Sequence, residues 1–199
     1  MPEDAAESRR RMVIGAADMI RRRGLNATSV RELAKHADAP LGSTYHYFPG
    51  GKYDLATEAV RWADDITAKV LTQELAAGPL AGLKAFLAMW RKVVLDSDFH
   101  AGCPVLSVSV EDLPDKHGRP REAASAAFLN WTRILSDSLR EHGVQPPQAE
   151  RLATLVVAAV EGTVAICRAH RSIDPLDQVA EELCGLIESA VAAGTTCSE

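Results

Sequence analysis

Thr28-Ser29-Val30-Arg31-Glu32-Leu33-Ala34, a break at Asp38-Ala39-Pro40, then Leu41-Gly42-Ser43-Thr44-Tyr45-His46-Tyr47-Phe48-Pro49: this stretch reads as two short helices joined by a tight turn. Thr28 or Ser29 opens the first helix. Ser29 followed by Glu32 fits a capping box, in which hydroxyl and carboxylate each take a backbone N–H at the helix start. Val30, Leu33, Ala34 and Ala37 recur at three- and four-residue spacing and give this helix its buried face. Pro40 disfavours helical geometry in the residue before it and is itself suited to open the next helix. That second helix, expected from position 40 or 41 to 47, stops at Pro49-Gly50-Gly51.

Helix, short break and short helix is the helix-turn-helix plan, in which the first element crosses the phosphates and the second enters the major groove. The second element suits that task. It has no acidic side chain, a glycine that permits close backbone approach, and hydroxyl, phenol and imidazole groups for phosphates or base edges. The helical period continues on both sides. Upstream, residues 8–23 place Met12, Val13, Ala16, Ala17 and Ile20 on one stripe, with Gly24 as a C-terminal stop. The arginine runs 9–11 and 21–23 read as solvated helix ends, the first within reach of adjacent phosphates. Downstream, residues 52–76 carry Leu55, Ala59, Trp62, Ala63, Ile66 and Val70 in one long amphipathic run, leaving no flexible linker.

Further helical segments are expected at 79–95, 104–111, 119–141, 147–171 and 175–193, separated by proline and glycine breaks. Alternating strand patterns are nearly absent. The fold class is therefore all-α with about nine helices: a three-helix head over 7–52, a helical body over 53–193 and a flexible tail over 194–199.

Composition fits this division. Of 199 residues, 47% are hydrophobic and 25% charged, enough to bury a core. The net charge of -5 gives no overall case for nucleic acid, but residues 1–52 hold nine basic and six acidic side chains, against 13 and 21 in the remainder. A basic head and an acidic body imply two tasks. The apolar runs read as too short to span a bilayer, and the acidic start is unlike a signal sequence, so a cytoplasmic protein without membrane association is expected. Cys103, Cys167, Cys184 and Cys197 match neither a paired zinc pattern nor a disulfide framework. Neither a metal nor a cofactor is expected. Nucleophile and metalloprotease motifs are lacking, and Gly50-Gly51-Lys52 lacks the earlier glycine and following hydroxyl of a phosphate-binding loop, so an enzyme is not expected.

The segment 28–34, the break, and Gly42-Ser43-Thr44-Tyr45-His46-Tyr47-Phe48-Pro49 resemble the DNA-binding head of TetR-type transcriptional regulators, over roughly residues 7–67. The extra glycine in Phe48-Pro49-Gly50-Gly51-Lys52 and the sequence Gly102-Cys103-Pro104-Val105 resemble the LmrA/YxaF-like branch. His46-Tyr47 departs from the more usual tyrosine-histidine or histidine-histidine order. The resemblance implies a homodimeric repressor that binds a palindromic double-stranded operator and is released by a small effector. It assigns Thr28 and Ser29 to a phosphate at the second helix's N-terminus, and Leu41, Gly42, Ser43, Thr44 and Tyr45 to the groove. Tyr47 and Lys52 would grip flanking phosphates, with Arg31 and His46 as further DNA-facing candidates and Phe48 as core.

For the body, aromatic residues and methionine suit a largely apolar effector, and Trp62, Phe86, Met89, Trp90, Phe99, Leu106, Phe128 and Trp131 are the candidates, with plain core as the competing role. Ser107, Ser109, Asn130 and Glu161 are candidate polar contacts, the last for a cationic group, and Cys103 is a further pocket candidate. Small residues along 149–168 and 176–191 permit close packing, and the resemblance implies that two copies of this helix pair form the dimer. Two alternatives remain open: a redox-sensing regulator using Cys103 or Cys167, and a helical interaction module without DNA binding.

Overall fold

The computed structural model describes residues 2–114 and 118–196, and among these it contains nine helices and no strand. They are α1 (Pro2–Arg23), α2 (Val30–His36), α3 (Leu41–Tyr47), α4 (Lys52–Leu75), α5 (Pro79–Asp96), α6 (Pro104–Ser109), α7 (Arg119–Glu141), α8 (Pro146–His170) and α9 (Asp174–Thr196). The expected segments all form, with ends shifted by a few residues. Two shifts are larger. α1 starts six residues earlier than the expected position 8, at a proline that costs nothing where the N–H has no helical partner. α9 continues to Thr196, so 194–196 are helical and not a tail, while 197–199, with Cys197, lie outside the described residues.

The chain packs as two compact units, Met1–Asp65 with Cys103–Ala127, and Ile66–Gly102 with Phe128–Glu199. The division falls inside the unbroken helices α4 and α7.

In the first unit, α1 buries Met12, Val13, Ala16, Ala17, Met19 and Ile20, the expected stripe plus one. Leu33, Ala34 and Ala37 of the α2 region meet it, whereas Val30 is only half-buried. Gly24 adopts φ +81° after α1, the left-handed stop that glycine takes without strain. Asp38 turns the chain between α2 and α3 at φ 50°, a conformation that a short polar side chain tolerates. Gly51 at φ +64° lets its N–H reach the Phe48 carbonyl at 2.8 Å, which stops α3 and leads into α4. α6 packs along α1.

In the second unit, α5, α8 and α9 pack on one another. The core includes Leu83, Phe86, Leu87, Trp90, Val94, Val156, Val160, Val164, Leu176, Leu183 and Ile187. Two expectations need correction. Ile66 of α4 is exposed, because the buried stripe passes from Val60 to Thr67, Leu71 and Leu75, one position round the helix from the assumed face. α8 is also long and apolar enough to cross a bilayer: it has 25 residues, with an 18-residue window of mean hydropathy 1.7. That window is 44% buried, as in a core helix flanked by α5 and α9.

Candidate nucleic-acid interface

Ser29 caps α2 and completes the expected box. Its N–H donates to Glu32 Oε2 at 3.0 Å, its hydroxyl donates to the same oxygen at 2.7 Å, and the Glu32 N–H donates to Ser29 Oγ at 3.2 Å. These Ser29 bonds to carboxylate hold the Glu32 carboxyl below its ordinary value. Thr28 is buried, and its hydroxyl donates to the Leu25 carbonyl at 2.8 Å. The two hydroxyls expected at a phosphate are thus engaged in holding the α2 start. Arg31, on the first turn of α2, is exposed.

α3 follows after Pro40, whose carbonyl accepts from Thr44 N–H at 3.2 Å. Seven residues make two turns, so positions 41, 42, 45 and 46 share one side. That side faces out: Leu41, Gly42, Tyr45 and His46 are exposed, Tyr45 by 49%. A Cβ on Gly42 would have no neighbour within 4 Å. Ser43 and Tyr47 are half-buried at the flanks, and the Tyr47 ring meets the His46 ring edge-on at 5.2 Å between centroids. Thr44, expected in the groove, turns inward instead. It is wholly buried, with its hydroxyl 3.4 Å from the Pro40 carbonyl, because position 44 lies on the side of α3 that faces the head core. Phe48 is buried as expected, beneath the Arg9 guanidinium at 5.2 Å.

The surrounding charges are largely committed. Arg9 pairs with Glu58 at 2.7 Å, and Arg21 and Arg22 pair with Asp18 at 2.6 and 3.1 Å. Lys52 reaches the Leu25 and Thr28 carbonyls, each at 3.4 Å, and so steadies the turn before α2. Sequence reasoning missed two carboxylates that hold this head together through distant partners. Asp54 accepts the Gly50 N–H at 2.7 Å and pairs with Arg119 at 3.0 Å. Glu111 accepts the N–H groups of Leu25 and Asn26. Residue types mark both as acidic, but nothing in local spacing points to partners 65 and 86 positions away.

Of the effector candidates, the second unit brings four rings together. Phe86 meets Trp90 and Trp131 edge-on, each at 6.3 Å, and Phe128 meets Trp131 at 5.5 Å. Trp90 Nε1 is buried and finds no hydrogen-bond acceptor among the described residues. Glu161 is buried on α8, and Met89 is half-buried on α5. Phe99 is not part of this cluster: it sits at φ 61° with the Arg171 guanidinium 5.9 Å from its ring. Trp62, Cys103, Leu106 and Ser107 belong to the first unit. There Cys103 caps α6, its sulfur accepting from Leu106 N–H at 3.4 Å, and Ser107 donates to the Cys103 carbonyl at 2.9 Å. A groove of about 340 Å³ on the α5 and α9 surface, bordered by Leu87, Arg91, Leu176 and Cys184, contains none of the aromatic candidates.

Comparison with known proteins decides what kind of head this is. Residues 14–59 match the family model described as bacterial regulatory proteins, tetR family, and residues 79–182 match the C-terminal domain of LmrA/YxaF-like transcriptional regulators. The chain belongs to the TetR family. An uncharacterized HTH-type transcriptional regulator of Mycobacterium tuberculosis, Rv0196, is 39% identical over 184 residues, covering 90% of this chain and 93% of the relative. LmrA of Bacillus subtilis, an HTH-type transcriptional regulator, is 28% identical over 172 residues, or 85% of this chain and 91% of LmrA. The fold matches the regulatory protein TetR from Rhodobacter sphaeroides with a TM-score of 0.78 at 24% identity, over 88% of this chain and 96% of that one. It matches a TetR transcriptional regulator from Chloroflexus aurantiacus at 0.74 and 25% identity, over 94% and 96%. As a TetR-family member of the LmrA/YxaF-like branch, this chain is a DNA-binding transcriptional regulator of the helix-turn-helix type, and α2 and α3 lie within the matched segment.

Proposed function

We propose that this TetR-family regulator is a homodimeric repressor that holds a palindromic operator with α3 in the major groove and is released by a small, largely apolar effector. The observation that carries the reading is the outward side of α3, where Leu41, Gly42, Tyr45 and His46 present an open, acid-free surface. Leu41, Gly42, Ser43, Tyr45 and His46 contact base edges or the adjoining backbone, and Arg31 and Tyr47 contact phosphates. Thr28, Ser29, Thr44 and Lys52 act from beneath, by fixing the turn and the helix that carry those groups. A DNA target fits a cytoplasmic protein of a bacterial cell.

The dimer reading rests on α8 and α9. Of the small residues there, Ala153 and Ala190 are buried within the protomer, but Ala158, Gly162, Ala165 and Gly185 face outward beside exposed Leu155, Ile166 and Leu186. A Cβ on Gly162 or Gly185 would meet nothing within 4 Å, so packing inside the protomer does not account for either glycine. A second copy of the same pair would fill that space as a four-helix bundle.

The effector reading rests on the ring cluster Phe86, Trp90, Phe128 and Trp131 and, on α8, on the buried Glu161 side chain. Trp90 Nε1 offers a desolvated donor to a ligand acceptor. An effector displaces the protein from its operator only by favouring a head separation other than the 34–36 Å, roughly, of successive major grooves. The displacement runs through α4, which is continuous from Lys52–Leu75. The redox alternative is disfavoured at Cys167, whose thiol is pushed up by burial and further by Asp177 and Asp174, away from the reactive thiolate. Footprinting on a duplex selected from genomic DNA tests the proposal: two protected half-sites one helical turn apart support it, and a single half-site contradicts the dimer.

A further inference from the structure

We propose that Glu111 is a positioning residue for DNA binding, acting from outside the matched head as a carboxylate latch on the turn that leads into α2. The inference rests on the DNA-binding reading of α2 and α3 and adds a determinant some fifty residues beyond the segment 14–59. Glu111 follows α6 by two residues, within the same compact unit as the head. Its Oε1 accepts the Leu25 N–H at 2.5 Å and its Oε2 the Asn26 N–H at 2.6 Å, so one carboxylate clamps two successive backbone amides. Asn26 Nδ2 adds a bond to the Asp112 carbonyl at 3.2 Å.

The turn is held from both ends by opposite charges. Glu111 takes its N–H groups, while Lys52 and the Thr28 hydroxyl take its carbonyls at Leu25 and Thr28. Leu25 itself is fully buried. Gly24 completes the fit, because any side chain there would collide with the Glu111 carboxylate and would also face φ +81°. With these bonds made, the three residues between Leu25 and Ser29 have little freedom, and the angle at which α2 leaves α1 is set. Charge-assisted bonds of this length rank among the stronger ones, and a pair on adjacent amides resists rotation about either.

The sign of the effect separates latch from charge. Removing an acidic group near a DNA-binding head raises phosphate attraction, so electrostatics alone predicts tighter binding in Glu111→Ala. The latch predicts the opposite: about tenfold weaker binding to a duplex selected by the unaltered chain, partly restored in Glu111→Gln, which keeps one carbonyl acceptor. Hydrogen exchange at the Leu25 and Asn26 amides reads the contact without DNA. We expect it to rise about tenfold in Glu111→Ala, with α8 amides unchanged as a control on folding. Unchanged exchange at Leu25 and Asn26, or faster exchange with equal or tighter DNA binding, overturns the latch. If the unaltered chain selects no duplex at all, the DNA-binding reading itself fails, and the proposal falls with it.

Discussion

Thr44 and Tyr45 are neighbours in sequence with opposite duties, and that contrast is the sharpest residue-scale consequence of the fold. Thr44 is wholly buried and bonded to the Pro40 carbonyl, whereas Tyr45 is half exposed on the open side of α3. Thr44→Ala therefore lowers stability by about 1–2 kcal/mol, through a lost methyl contact and a lost hydroxyl bond. Tyr45→Ala leaves stability within about 0.5 kcal/mol but weakens operator binding tenfold or more. Urea denaturation and DNA retardation on both variants check the pair, and a Tyr45→Ala protein that binds DNA normally contradicts the assignment. The family resemblance put both residues in the groove, and the sequence offered no check, because a seven-residue helix of polar and aromatic side chains has no apolar stripe to orient it. Only the packing of position 44 against the rest of the head resolves which side is which.

At the scale of elements, α1 is joined to α2 by apolar packing and by the Asp18 cluster. Burial would raise the Asp18 carboxyl, but the Arg21 and Arg22 guanidiniums outweigh it and hold the group below its ordinary value, with His36 also 3.1 Å away. A carboxyl depressed in the folded state contributes stability above its unfolded value, and that contribution disappears as the pH falls through the folded value. Denaturation at pH 6 and pH 3 is expected to show a larger acid loss for the unaltered chain than for Asp18→Asn. An equal loss would mean that the cluster adds nothing to the head.

α8 allows an equally direct test. Gly162→Arg places a long cation where the protomer has open space, so the fold is expected to persist while the proposed dimer gives way to monomer in sedimentation. A variant that remains dimeric places the interface elsewhere. Both elements were legible in the sequence, since proline and glycine breaks and a 3.6-residue period delimit them. The small-residue stripe of α8 and α9 was legible as composition, but its division into buried Ala153 and Ala190 and outward Gly162 and Gly185 depends on how the helices rotate against α5.

For the whole molecule, the uneven charge is the consequential property. Nine basic and six acidic side chains lie in residues 1–52, against an overall charge of -5, so nonspecific attraction to DNA is confined to the head and opposed by the remainder. Several head arginines are engaged with Asp18 and Glu58, which makes shape and hydrogen bonding at α3 more important than raw charge. Long-range contacts such as Glu111 to Leu25 and Asn26 were the least legible feature, because side-chain chemistry names an acid without naming its partner.

Sequence-specific DNA recognition is proposed to lie on the outward side of α3. Its most direct test is retention of genomic fragments by the purified full chain, titrated with salt, beside Tyr45→Ala. Selective retention of a palindromic fragment is expected, with affinity falling steeply as salt rises and selectivity lost in the variant. Equal affinity for all duplexes, or no binding at low salt, would contradict it.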